Sequence, residues 1–171
     1  MNLLPLNEIN SLSRGEFVRI IGPVFEQSPW VAEATWPKRP FASRDALHAA
    51  LCETVAGAGA EKQLMLIRSH PDLAGRLAVA GVLTDASARE QAAAGLDQLT
   101  PEETNLFRKN NAAYRGKFGF PFVICARSNR KEAVLNGFHA RLANSREQEI
   151  QTALREIFKI AGLRLNDLIT N

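Results

Sequence analysis

The sequence predicts an all-α fold, and three observations support this class. Apolar residues recur at helical spacing along most of the chain, as Leu47, Leu51 and Val55 do. Serine or threonine often stands three residues before glutamate or glutamine, which is the capping box that opens helices. Alternating strand patterns are nearly absent. No repeat or linker interrupts the 171 residues, so we expect one helical-bundle domain over 1–171.

The first two helices are indicated by their start and stop signals. Ser13 and Glu16 have capping-box spacing and predict a helix that ends near Pro23. Ser43 stands before the second apolar row and is a favourable N-cap residue. Gly57 closes that row, as glycine commonly does at helix ends.

The centre of the chain contains a helix, a break and a proline. Residues 61–69 are rich in helix formers, and Pro71 disfavours helical geometry at His70. Because proline suits the first position of a helix, we expect a new helix from Pro71 through Leu73 and Leu77. His70 is therefore predicted to lie at a junction between two helices.

Two further capping boxes follow. Ser87 and Glu90 predict one helix start, and Thr100 and Glu103 predict another helix that reaches about Lys117. If Ser87 is the N-cap, the Glu90 carboxylate would bind the Ser87 backbone N–H, a purely structural role.

The last third departs once from the helical pattern. Phe118–Cys125 is apolar, aromatic and interrupted by glycine and proline, so we expect an extended segment that lines the interior. A helix is predicted over about 129–143. Ser145 and Gln148 then open a long final helix with one apolar stripe.

Composition excludes several classes of function. The net charge of +3 is small and the cations are scattered, so we expect no nucleic-acid partner. We find no signal peptide and no apolar stretch near the ~20 residues that cross a bilayer, and we expect a cytoplasmic protein with no membrane partner. Cys52 and Cys125 lack metal-binding spacing and are predicted to be small buried hydrophobes.

His70 is the leading candidate for proton transfer. His48 and His139 fall within amphipathic helices, where partly exposed positions are expected. A histidine at a helix break can exchange protons near neutral pH, and Asp72 nearby favours its charged form. A structural junction histidine is equally consistent with the sequence. The sequence contains no His paired with His, Cys or Glu at the spacing of metal ligands, so we expect no metal site.

Several motifs together identify a family. They are Ser69-His70-Pro71-Asp72-Leu73-Ala74-Gly75, Ser87-x-x-Glu90-Gln91-x-x-Ala94-Gly95-Leu96, Tyr114-Arg115-x-Lys117-Phe118-Gly119-Phe120-Pro121-Phe122-Val123-Ile124-Cys125, Arg141-Leu142-x-Asn144-Ser145, and Glu156-Ile157 through Arg164-Leu165. In this order they closely resemble the 2-oxo-4-hydroxy-4-carboxy-5-ureidoimidazoline (OHCU) decarboxylase family. The resemblance covers nearly the whole chain.

The resemblance implies a function and a site. It implies an all-helical bundle, often homodimeric, that decarboxylates OHCU to (S)-allantoin in urate breakdown without metal or organic cofactor. The implied catalytic residues are His70 and Glu90. The implied substrate-binding residues are Pro71, Ser87, Gln91, Phe122, Val123, Ile124, Cys125, Ala126 and Arg164. Arg141 is a second arginine in a family-like context, so the sequence leaves the choice of substrate arginine open.

Two other functions remain compatible with the residues alone. A helical interaction module would expose apolar faces on its last helix and would not act on ureidoimidazolines. A lyase or isomerase on a related ureide could use the same His70 and Glu90 pair.

Overall fold

Helices dominate the computed structural model, which describes residues 3–74 and 83–170. This confirms the all-α class. The α-helices of the described residues are α1 Leu6–Ser11, α2 Arg14–Ile21, α3 Trp30–Thr35, α4 Arg44–Ala56, α5 Gly59–Arg68, α6 Asp85–Ala93, α7 Pro101–Phe118, α8 Lys131–Arg141 and α9 Arg146–Asn166. Short 3₁₀ turns lie at Gly22–Val24, Trp36–Lys38 and Ala126–Ser128.

The chain divides into two compact units. The first unit combines Met1–Ser69 with Phe158–Asn171, and the second is His70–Ile157. The single domain expected over 1–171 stays a prediction.

The first unit joins two distant segments of the chain through a small parallel ladder. β1 (Leu4–Pro5) pairs with β2 (Ile169–Thr170), and the Leu4 N–H donates to the Leu168 carbonyl at 2.8 Å. Helices α2, α3 and α4 pack together in this unit. The apolar row of α4 is fully buried, as its spacing predicts, with Leu47, Leu51 and Val55 in the core.

The second unit has an aromatic core. Phe122 and Phe138 stack with ring centroids 3.9 Å apart, and Tyr114 meets Phe122 edge-on at 5.2 Å. Such offset and edge contacts add to the burial of apolar area. Tyr114 belongs to α7 and Phe138 to α8, so this core fixes the extended segment between the two helices.

Most predicted helix starts are confirmed. Both hydrogen bonds of a capping box are present at Ser13 and Thr100. Ser145 and Gln148 likewise exchange backbone and side-chain bonds of 2.8 and 3.2 Å before α9. The Ser43 side chain caps α4 by accepting from the Ala46 N–H at 3.0 Å. These signals act over four residues, which explains why the sequence alone identifies them.

The predicted helix start at Pro71 is wrong. Pro71 and Asp72 are non-helical, Leu73 and Ala74 form a turn, and Ala74 has a φ of 49°. The remainder of that predicted helix, including Leu77, lies outside the described residues. The helix predicted over 129–143 is shorter than expected, at Lys131–Arg141. None of the helices in the described ranges is both long and apolar enough to traverse a lipid bilayer.

Candidate active site

His70 follows the end of α5 and is buried. Helix α5 ends at Arg68, and Ser69 forms its C-cap. The Ser69 hydroxyl lies 2.7 Å from the carbonyls of both Leu66 and Glu26, which fixes the residue before His70. His70 itself is only 6% exposed, although it has no regular secondary structure after it.

Side chains from two helices hold the segment that follows His70. Arg115 of α7 binds the Asp72 carboxylate with N···O distances of 2.8 and 3.1 Å. Asn111, also of α7, donates its amide to the Leu73 carbonyl at 2.8 Å. The Ala74 N–H donates to the Gln91 side-chain oxygen on α6 at 2.9 Å. These bonds explain why Pro71 does not begin a helix, because the backbone groups are engaged by side chains distant in sequence.

The α6 helix presents three predicted site residues on one face. Ser87, Glu90 and Gln91 are spaced by three and four residues, which places them together along a helix. Ser87 and Gln91 are buried, and Glu90 is half-buried. Helix α6 packs against the 3₁₀ turn Ala126–Ser128, which directly follows the predicted extended segment.

The predicted Ser87 capping box is wrong. Thr84 is the N-cap of α6, and its hydroxyl accepts from the Ser87 N–H at 3.3 Å. Ser87 therefore occupies the N3 position, and Glu90 lies one turn further into the helix. The Glu90 carboxylate is consequently not the cap partner of the Ser87 backbone.

The extended segment is confirmed, but it begins one residue late. Phe118 is the last residue of α7, and Gly119 follows with a left-handed φ of 79°. That conformation favours glycine and turns the chain out of the helix. The segment then runs without helix or strand to Cys125. The side chains of Phe122, Val123, Cys125 and Ala126 are buried, whereas Ile124 is half-buried.

Two charged side chains bind the backbone of this segment. Arg141 Nη1 donates to the Val123 carbonyl at 2.6 Å, and the Cys125 N–H donates to Glu156 Oε2 at 2.9 Å. The Val123 carbonyl and the Cys125 N–H are therefore occupied by protein groups. Between them, the N–H and C=O of Ile124 make no hydrogen bond with any described residue.

A buried polar network orients Arg141. Its Nε donates to Glu149 at 2.9 Å, and Nη2 lies 3.3 Å from the Tyr114 hydroxyl. Tyr114 also bonds to Glu149, and Asn144 donates to the same carboxylate at 2.6 Å. Burial, followed by the bond to Glu149, raises the pKa of Tyr114 far above its usual range. Arg141 is thus engaged by protein groups on all three guanidinium nitrogens.

Arg164 belongs to the first unit. Its Nη2 pairs with Glu26 at 3.0 Å, and Nη1 donates to the Pro23 carbonyl at 3.2 Å. Both charged side chains are buried, with 7% and 3% exposure. The ion pair is therefore a buried one, and a role of Arg164 in substrate binding stays a prediction.

A cavity of about 310 Å³ lies beside α6 in the second unit. Ala74 and Gln91 line it, so the hydrogen bond between these residues forms part of its wall. Its other described lining residues are Leu83, Ala88, Ala92, Leu96, Asp97, Leu99 and Thr104.

Sequence reasoning missed several residues that shape the site. Asn111, Arg115, Glu149 and Glu156 act on backbone or side chains 8 to 43 positions away along the chain. Asn111 and Glu149 are signalled only as polar residues at helix positions that otherwise face the core, whereas Arg115 and Glu156 stand in motifs of the family resemblance. The other two histidines behave as expected: His139 is exposed, and half-buried His48 lies 2.8 Å from the Phe158 carbonyl.

Comparison with known proteins identifies the family. The model of the OHCU decarboxylase family matches residues 10–166. The chain is 42% identical to the OHCU decarboxylase of Halalkalicoccus jeotgali, covering 98% of this chain and 93% of that protein. It is 44% identical to the Amia calva enzyme of the same name, over 97% of this chain and 95% of that protein.

A solved structure agrees with these sequence relatives. The crystal structure of (S)-allantoin synthase superposes with a TM-score of 0.77 at 28% identity, over 98% of this chain. The match spans 54% of that longer chain. With a family model and curated relatives matching over nearly the full length, the chain belongs to the OHCU decarboxylase family of carboxy-lyases.

Proposed function

We propose that this protein converts OHCU to (S)-allantoin and CO₂ without a cofactor, with His70 as the acid–base group and Glu90 beside it. The observation that carries the proposal is the anchoring of the His70 segment. Gln91 holds Ala74 from the helix that also bears Ser87 and Glu90, so the His70 segment and α6, two parts of the implied site, are physically linked. The names of the sequence relatives support the same reaction.

The substrate itself provides the electron sink. Its carboxylate is attached to the hydroxyl-bearing carbon, which adjoins a ring C=N. When the C–C bond breaks and CO₂ leaves, the electron pair forms a C=C bond while the imine nitrogen gains a proton. Loss of the hydroxyl proton and protonation of the ureido-bearing carbon then give the product, with a net uptake of one proton. No external electron sink is needed for these steps.

His70 exchanges the proton of the substrate hydroxyl in this scheme. Imidazole is the side chain best suited to accept and return a proton near neutral pH. The burial of His70 keeps bulk water from the reacting carbon. The contacts of Ser69 and Asp72, on either side of His70 in the chain, hold His70 in place. A fixed proton donor on one face determines a single stereoisomer.

The α6 face binds the polar substituents of the substrate. Glu90 accepts hydrogen bonds from the ureido and hydroxyl groups, a role compatible with its position inside the helix rather than at the cap. Ser87 and Gln91 lie along the same face, and the Gln91 amide nitrogen can donate while its oxygen holds Ala74. In this proposal, Pro71 and the Phe122–Ala126 segment form the walls of the substrate-binding site. Arg164 is proposed to contact ring or ureido oxygens, since a clamp on the departing carboxylate would stabilise the ground state.

The test is turnover of OHCU freshly made from urate, with circular dichroism to follow (S)-allantoin. Wild-type protein should produce the S enantiomer. His70→Asn should retain the fold and lower enantioselective turnover by about 100-fold or more, the usual contribution of acid–base catalysis.

The matched control is His139→Asn, because His139 is exposed on α8. It should turn over like the wild type. Normal turnover by His70→Asn would exclude the assigned role of His70. Wild-type protein that is inactive on OHCU but active on another ureide would exclude the proposed substrate.

A further inference from the structure

The peptide of Ile124 is held from both sides by charged groups. Arg141 of α8 binds the carbonyl of the preceding residue, Val123, at 2.6 Å. Glu156 of α9 binds the N–H of the following residue, Cys125, at 2.9 Å. Hydrogen bonds in which one partner is charged are shorter and stronger than neutral ones. The backbone on each side of Ile124 is therefore fixed.

The arginine side of this arrangement is itself rigid. Only 11% of the Arg141 side chain is exposed, and its Glu149 partner is fully buried. The guanidinium carbon also lies 4.3 Å from the centre of the Phe122 ring, within cation–π range. Arg141 has thus few alternative positions, and the Val123 carbonyl is restricted with it.

This arrangement leaves the N–H of Ile124 as a donor and its C=O as an acceptor for a ligand. The carbonyl of Val123 and the N–H of Cys125 are occupied, while the N–H and C=O of Ile124 bond to no described residue. In an extended chain the N–H and C=O of one residue point to the same side. A ligand with an N–H next to a C=O can pair with both at once, as the ring and the ureido group of a ureidoimidazoline can.

We infer that Arg141 and Glu156 are positioning residues that hold the Ile124 peptide for recognition of the substrate's amide edge. This inference rests on the proposed function. It assigns Arg141 a role without substrate contact, since its three nitrogens are already engaged by Glu149, Val123 and Tyr114.

The Glu156 side is tested by two substitutions. Glu156→Gln keeps an oxygen that can accept from the Cys125 N–H, whereas Glu156→Ala removes it. We expect Glu156→Ala to raise KM for OHCU and the dissociation constant of (S)-allantoin about tenfold, with a smaller change in kcat. Glu156→Gln should remain within about twofold of the wild type in both. Calorimetric titration with (S)-allantoin provides the binding measurement.

Two results would overturn this side of the inference. One is equal impairment of Glu156→Gln and Glu156→Ala, which would mean that the charge and not the acceptor matters. The other is wild-type KM and product affinity in Glu156→Ala.

The Arg141 side is tested by removing the buried charges together. The double variant Arg141→Met, Glu149→Met loses the Val123 bond without leaving an unpaired buried charge, and such replacements are often neutral for stability. We expect a KM about tenfold higher than wild type. A folded double variant with wild-type KM would overturn the inference. If the double variant does not fold, the comparison of Glu156→Gln with Glu156→Ala decides it.

Failure of the inference and failure of the proposed function have different signatures. Wild-type protein that does not decarboxylate OHCU contradicts the proposed function. Active wild-type protein with an unimpaired Glu156→Ala variant contradicts only the positioning role.

Discussion

At the scale of single residues, the location of Glu90 changes its interpretation. A carboxylate at the third position of a helix commonly satisfies the cap, and that structural role suffices to explain it. Because Thr84 is the N-cap, Glu90 lies inside α6 and has no capping duty toward Ser87. The proposed role of Glu90 in substrate binding therefore does not compete with a cap at Ser87, and Glu90 shares its helix face with buried Ser87 and Gln91.

Glu90→Gln should therefore separate activity from stability. Glutamate and glutamine have similar helix propensities, so the free energy of unfolding should change by less than about 0.5 kcal/mol. Decarboxylation of OHCU should fall about tenfold or more, since hydrogen bonds to a charged acceptor are lost. Urea unfolding and the allantoin assay measure the two effects. Glu61→Gln, an exposed change on α5, serves as the control, and unaltered turnover in Glu90→Gln would remove Glu90 from the site.

At the scale of elements, Thr84 and Ser87 are both suitable residues for the N-cap of α6, and their substitution distinguishes them. Thr84→Ala should reduce the free energy of unfolding by about 1 kcal/mol, the usual cost of losing an N-cap side chain. Ser87→Ala retains the backbone N–H that Thr84 accepts from, so its capping cost should be smaller. Chemical denaturation of both variants provides the comparison. A larger loss in Ser87→Ala than in Thr84→Ala would contradict the assigned cap.

An ion pair joins α7 to α8 and predicts a pH effect. Lys131 lies 2.7 Å from Glu103, and this bond, followed by the Thr100 backbone bond, holds the pKa of Glu103 below its usual value of 4.5. A depressed folded-state pKa stabilises the fold above pH 4.5 and loses that effect as pH falls through the lowered pKa. Glu103→Gln should lower Tm near neutral pH, and the difference should shrink in acid. Glu102→Gln is the matched control, and a pH-independent difference would refute the explanation.

Local signals account for most of the element pattern but not for the site. The caps at Ser13, Thr100 and Ser145 depend on residues three positions apart, so the sequence contains them completely. Near Ser87 two suitable cap residues stand three positions apart, and local preference cannot choose between them. Pro71 fails as a helix start because Asn111 and Gln91 engage the backbone that follows it. Those partners are far away in sequence, as Arg141 and Glu156 are from the segment they hold.

At the scale of the whole molecule, the first unit depends on the pairing of two distant segments. Ile169 is fully buried in β2, whereas Thr170 beside it is half-buried. Ile169→Ala should lower the free energy of unfolding by about 3 kcal/mol, typical of a large-to-small core change. Thr170→Ala should cost less. Equilibrium urea unfolding measures both, and equal losses of unfolding free energy in the two variants would show that the ladder does not contribute to the core.

A homodimer, implied by the family resemblance, stays a prediction that sedimentation would test.

The β1–β2 ladder has a consequence for engineering. Leu4 and Ile169 are paired in adjacent parallel strands. The first and the last described residues are therefore separated by little more than the length of the ladder. A linker of roughly six residues can span that distance. New ends could then be opened at the exposed turn around Gly57, between α4 and α5. Such a circular permutant would keep α9 continuous while moving the points of genetic fusion from the β1–β2 ladder to the turn around Gly57.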